Sequence, residues 1–129
     1  MNNKIQGFAT TEGVQKADLQ IEIENWESQI DFMKKELVFY LKLVRLPALN
    51  ITDPSFFLQG LQEVENTNET FEKLLLNYKN SLDGLNECED IQCESYYMET
   101  HEEIQDKIKK HQLRFRAIKS QIFLVVQKI

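Results

Sequence analysis

Glycine and proline are scarce in this chain, four and two among 129 residues. Folds built from many short strands need both at their turns, so the scarcity excludes such folds and leaves room for long unbroken elements. No apolar run approaches the roughly 20 residues that cross a bilayer, so no membrane contact is expected. The opening stretch MNNKIQGFATTEGV has no basic start followed by an apolar run. A secretory signal is therefore not expected, and the expected location is the cytoplasm. In that setting the N-x-[ST] triplets at Asn50 and Asn68 carry no glycosylation meaning. A Gly-rich phosphate loop, a nucleophile elbow and a His-Glu-x-x-His run are also missing, so neither an enzyme nor a bound cofactor is expected.

What the chain has instead is heptad spacing. Leu19, Ile23, Trp26, Ile30, Met33, Leu37, Tyr40 and Val44 follow at alternating gaps of 4 and 3. That is an apolar seam on a long helix, which is stable only if other elements cover it. The same rhythm returns in Phe57, Leu61, Val64, Asn68, Phe71, Leu75, Tyr78 and Leu82. It returns again from Tyr97 through His101, Ile104, Ile108, His111, Phe115, Ile118, Ile122 and Val125 to Ile129. Pro47 ends the first helix, Asp53-Pro54 restarts the chain and Gly84 closes the second helix with left-handed angles. Asp18 is the expected N-cap of the first. The spacing predicts helices over about 15–46, 54–83 and 92–128, with residues 1–14 as an arm and 15–129 as one domain. Short connections make the helices run up, down and up, an all-α antiparallel three-helix bundle with coiled-coil-like packing.

Three heptad-patterned helices in about 115 residues, with Trp26 in the seam of the first, resemble a spectrin-type repeat. The resemblance implies a spacer or protein-binding module without catalytic residues.

Four seam residues are polar or carry a polar tip: Tyr40, Asn68, His101 and His111. Folding the chain at its two expected turns sets His111 near Tyr40 and Leu61, and His101 near Phe71. A small-ligand or metal-binding bundle is the alternative function this layer offers. Di-iron bundles, however, need Glu-x-x-His, and the residues three before each His are Met98 and Ile108. Register-fixing core histidines are the favoured reading, with Asn68 as a register device. Cys88 and Cys93, with His101 eight residues on, offer three zinc donors, but no second Cys/His pair completes a tetrahedral set. Structural or incidental thiols are expected, because a reducing cytoplasm opposes a lasting disulfide.

Charge is uneven. Residues 60–103 carry a net −10 and residues 104–129 a net +6, within a total of −6. The run KIKKHQLRFRAIK has six basic residues and no acid, but its Phe115 lies in the seam. Pairing with acidic neighbours, or a solvated face, is favoured over nucleic-acid binding. A second apolar stripe runs off the first seam through Phe32, Phe39, Leu43 and Leu46. Leu113, Ala117 and Leu124 project opposite the third seam, with Phe123 and Val126 widening its last turns. The expected function is protein–protein contact, with another protein or with a second copy as a homodimer, through Phe39, Leu43, Leu46, Leu113 and Leu124.

Overall fold

The computed structural model describes the backbone of residues 8–128 and the side chains of residues 16–128 other than Asn86. Among these residues it is an antiparallel three-helix bundle. Helix α1 spans Phe8–Leu43, α2 spans Ser55–Ser81 and α3 spans Ile91–Val126. The three seams form one core. Ile23, Ile30, Leu37, Leu61, Leu75, Ile108, Phe115 and Ile122 are fully buried in it. Each comes from a predicted seam position, as a heptad stripe that must leave water requires.

The helix ends show the chemistry of the connections. At the foot of α1 the backbone tightens, with Arg45 and Leu46 N–H bonding three residues back to Lys42 and Leu43. Leu46 is extended at φ −71°, ψ 131°, as a residue before proline must be. A short 3₁₀ turn over Pro47–Leu49 ends at Asn50, which takes left-handed angles of φ 52°, ψ 35°. Asn is one of the few non-glycine residues that does so cheaply. Asp53 Oδ1 then accepts the Ser55 N–H at 3.0 Å and the Ser55 hydroxyl as well, so the Asp53-Pro54 restart forms as expected. These bonds hold the exposed Asp53 carboxyl below the usual carboxylate range. Asp90 caps α3 by accepting the Cys93 N–H at 2.8 Å.

Three expectations are corrected. Helix α1 starts at Phe8, ten residues before Asp18. Gly13 weakens a helix without ending it, and no proline stands ahead of Asp18 to stop it. The expected arm over 1–14 is thus helical from residue 8, and residues 1–7 lie outside the described residues. Gly84 does not close α2 by a left-handed turn. The rod continues as a 3₁₀ helix over Leu82–Glu87, and a Cβ on Gly84 would collide with the Tyr97 hydroxyl. Close approach, not backbone sign, explains this glycine. Finally, Cys88 and Cys93 are joined in a disulfide with Cα atoms 5.5 Å apart. The α2–α3 turn brings them together because Cys93 lies in the first turn of α3 and Cys88 just before its cap.

Candidate functional site

The 3₁₀ extension decides which core polar groups meet. Taking Gly84 as the end of α2 sets the turn too early. In the structure His111 meets Asn68 and Phe71, and His101 meets Tyr78, about two helical turns further along α2 than expected. Tyr40, Asn68, His101 and His111 are therefore not one polar layer. Ten residues separate the two histidines, roughly 15 Å along the helix. Tyr40 stands apart from both, half-buried, edge-on to Phe39 at 5.2 Å and to Phe115 at 6.1 Å.

The first layer links all three helices. The Asn68 amide donates to the Ile30 carbonyl of α1 at 3.0 Å. Its Oδ1 takes the Nε2–H of His111 from α3 at 2.9 Å. An amide oxygen can only accept, so Nε2 carries the proton and Nδ1 is left as a bare lone pair. Nδ1 is buried and has no hydrogen-bond partner among the described residues. The ring packs on Phe71 at 5.1 Å. Burial first, then the nearby Arg114 charge, pushes the imidazole below its ordinary pKa. His111 is a neutral core group.

The second layer sits nearer the disulfide-bearing turn. His101 stacks on Trp26 at 4.6 Å. Its Nε2 lies 2.6 Å from Glu22 Oε1 and its Nδ1 lies 2.9 Å from the Tyr78 hydroxyl. The carboxylate accepts, so Nε2 donates to Glu22; the Tyr78 hydroxyl beside Nδ1 also reaches the Tyr97 carbonyl, to which it donates at 3.4 Å. Burial, Glu22 and Tyr97 all push the phenol above its ordinary pKa. A hydroxyl, an imidazole and a carboxylate in line have the layout of a nucleophile, base and orienting acid. Yet Tyr78 and His101 are only 5% and 4% exposed, and the phenol is made harder to ionise. The arrangement ties helices together and offers a substrate no approach. Sequence reasoning missed Glu22 and treated Tyr78 as an apolar seam residue. The available signal was Glu22 itself, flanking the seam one turn before Trp26.

The cysteines and His101 do not form a zinc donor set, since both sulfurs are spent on each other and His101 faces Tyr78 and Glu22. Among the described residues no group of three or more His, Cys, Asp or Glu is placed to hold a metal ion. No described helix is long and apolar enough to cross a membrane.

The surface carries more. Phe32 and Phe39 are 61% and 58% exposed, and Leu46, Leu113, Phe123 and Leu124 are exposed too. Leu43 and Val126 instead pack against the core. Helices α1 and α3 run parallel and meet less closely than either meets α2. Their register follows from two bridges, Gln112 to Gln29 at 2.7 Å and Lys119 to Glu36 at 2.9 Å. Leu113 is thus level with Ile30, about 14 Å before Phe39 along the axis, and does not join Phe39 and Leu124 in one patch. Phe32 takes its place. Phe32 and Met33 line a cleft of 590 Å³ between α1 and α3 with Phe115 and Arg116. A second cleft, sharing Arg116 and Lys119, continues it past Tyr40 to Phe123 and Leu124. Of the basic run, Arg114 pairs with Glu63 and Lys119 with Glu36. Lys107, Lys109, Lys110 and Arg116 make no ion pair among the described residues.

The chain matches no family model, no curated protein and no solved structure, so the spectrin-type likeness gains no relative to support it.

Proposed function

We propose that this chain is a non-enzymatic helical-bundle protein that acts through protein–protein contact, using the exposed face where α1 and α3 part. The observation that carries the proposal is the column Phe32, Phe39 and Leu46. Phe32 and Phe39, two turns apart on α1, and Leu46 just past the helix end stay in water, as do Phe123 and Leu124 on α3, while the core is closed. Fully burying such a side chain is worth roughly 1.5–3 kcal/mol, and a contiguous exposed set is a mark of an interface. The two polar core layers support the same reading by spending their hydrogen bonds inside the bundle, which favours a rigid scaffold over a ligand-binding core.

The compartment enters here as well. The Cys88–Cys93 bond favours an environment in which disulfides persist. A photo-crosslinking residue at position 39, introduced in the cell of origin, tests the contact. A defined adduct is expected, and a mass of twice the chain would identify a second copy. Labelling no stronger than at the exposed α2 position Asn77 overturns the proposal.

A further inference from the structure

The geometry points to an occupant for the α1/α3 cleft: one amphipathic helix of another protein, with an apolar stripe flanked by Asp and Glu. This rests on the protein-contact reading above and specifies its partner. The two adjoining clefts share Arg116 and Lys119, so they form one groove. On α3 the groove runs from Gln112 to Gln127. At 1.5 Å per residue that is about 24 Å, the length of a helix of some 16 residues. A rod fits a trough between two parallel rods, and α1 and α3 meet less closely than either meets α2, which opens that trough to a further helix. Helix-in-groove contacts of this kind are held by apolar anchors spaced along one face. Here Phe32, Met33, Phe115, Phe123 and Leu124 supply the apolar lining.

Charge decides among occupants. Residues 107–128 carry seven basic and no acidic side chains. Arg116 lines the groove unpaired among the described residues, and Lys109 precedes it by two turns on the same side of α3. Lys119 is already neutralised by Glu36 at 2.9 Å. The unpaired charge lining the groove among the described residues is thus that of Arg116, a positive one, with Lys109 beyond the groove's Gln112 end adding to it, and complementary charge sets partner choice and association rate. A second copy docked groove to groove would bring two such basic segments together, a like-charge contact that opposes it.

The test uses the full chain and a labelled 18-residue synthetic peptide with Leu at heptad positions a and d and Glu at e and g. Its isomer carries Lys in place of Glu. Saturable anisotropy change with the Glu peptide is expected, with at least tenfold weaker binding of the Lys isomer. Lys109→Glu with Arg116→Glu should reverse that preference while leaving the far-ultraviolet circular dichroism unchanged, since both residues are exposed. Phe32→Glu should weaken both peptides. Equal binding of the two isomers, or indifference to the charge reversal, overturns the proposal. So does a dimer that the Glu peptide fails to displace, which assigns the groove to a second copy. Sedimentation with phosphatidylserine vesicles that the peptide does not compete away assigns it to lipid and likewise overturns it. A crosslinked adduct at position 39 together with no peptide binding keeps the contact reading and removes only the acidic helix.

Discussion

At the scale of single residues, the core is held by packing and by two polar layers that behave differently under substitution. Trp26 is buried and stacked on His101 at 4.6 Å. Trp26→Ala should cost about 3–5 kcal/mol in denaturant unfolding, because it opens a cavity and strips one face of the imidazole. A cost below about 1 kcal/mol would contradict its place as a core anchor. A polar residue that only sets register in a seam can be replaced by Leu at no loss of stability. The two hydrogen bonds of Asn68 change that expectation. Asn68→Leu leaves the Nε2–H of His111 unpaired as well as Nδ1, and should destabilise by about 1–3 kcal/mol. Removing both partners, Asn68→Leu with His111→Phe, should recover most of the loss, which a double-mutant cycle measures directly. His111 also gives the fold a pH dependence of definite sign. Its folded pKa lies below the unfolded value, so the unfolded chain binds more protons once pH falls below about 6.5. Stability from this group is complete above that pH and declines as pH drops toward the folded pKa. Unfolding curves taken from neutral pH downward should show a shallower decline for His111→Gln than for the native chain.

At the scale of elements, the seams were legible and the turn between α2 and α3 was not. Heptad spacing alone placed Leu19 to Val44, Leu61 to Leu82 and His101 to Ile122 in the core, because an apolar stripe on a helix has one place to go. Gly84 misled, since a glycine near a helix end has two physical uses. Here it makes room for the Tyr97 hydroxyl while the chain continues in 3₁₀ form to Glu87. That single reading moved both histidines about two turns from their true partners. The exposed stripe was visible as a stripe, but the level of Leu113 relative to Phe39 depends on the α1/α3 register, which spacing within one helix does not contain. The close approach is testable. Gly84→Ala alone should gain little, the helical preference for Ala being offset by the collision. In a Tyr97→Phe background the same change should be more favourable by up to about 1 kcal/mol. The disulfide clamps this turn across a five-residue separation. Chain-entropy reasoning for so short a loop gives about 2 kcal/mol of stabilisation. Unfolding with and without reductant should show a loss of that order, and Cys88→Ser should show it without reductant. Alkylation of protein taken from its own cells, read by mass, would report whether the bond is formed there.

At the scale of the whole molecule, charge is sorted along the bundle axis. Helices α1 and α3 run parallel, and both begin acidic and end basic. Residues 91–106 carry five acidic and no basic side chains, against seven basic and no acidic over 107–128. The exposed apolar column of Phe32, Phe39 and Leu46 lies toward the basic end. Self-association through that column therefore sets apolar attraction against repulsion of like charges, whereas end-to-end contact sets acid against base. Salt separates the two, since the screening length falls from roughly 30 Å at 0.01 M to about 3 Å at 1 M while apolar burial is undiminished. Sedimentation of the native chain should show a monomer at low salt and a dimer fraction that grows as salt is raised. Phe32→Glu with Phe39→Glu should abolish that growth and keep the helical content, because both rings stand in solvent and Leu43, which packs on the core, is left intact. Association that weakens with salt, or that the double substitution leaves unchanged, would place the contact at the charged ends and take the apolar column out of it.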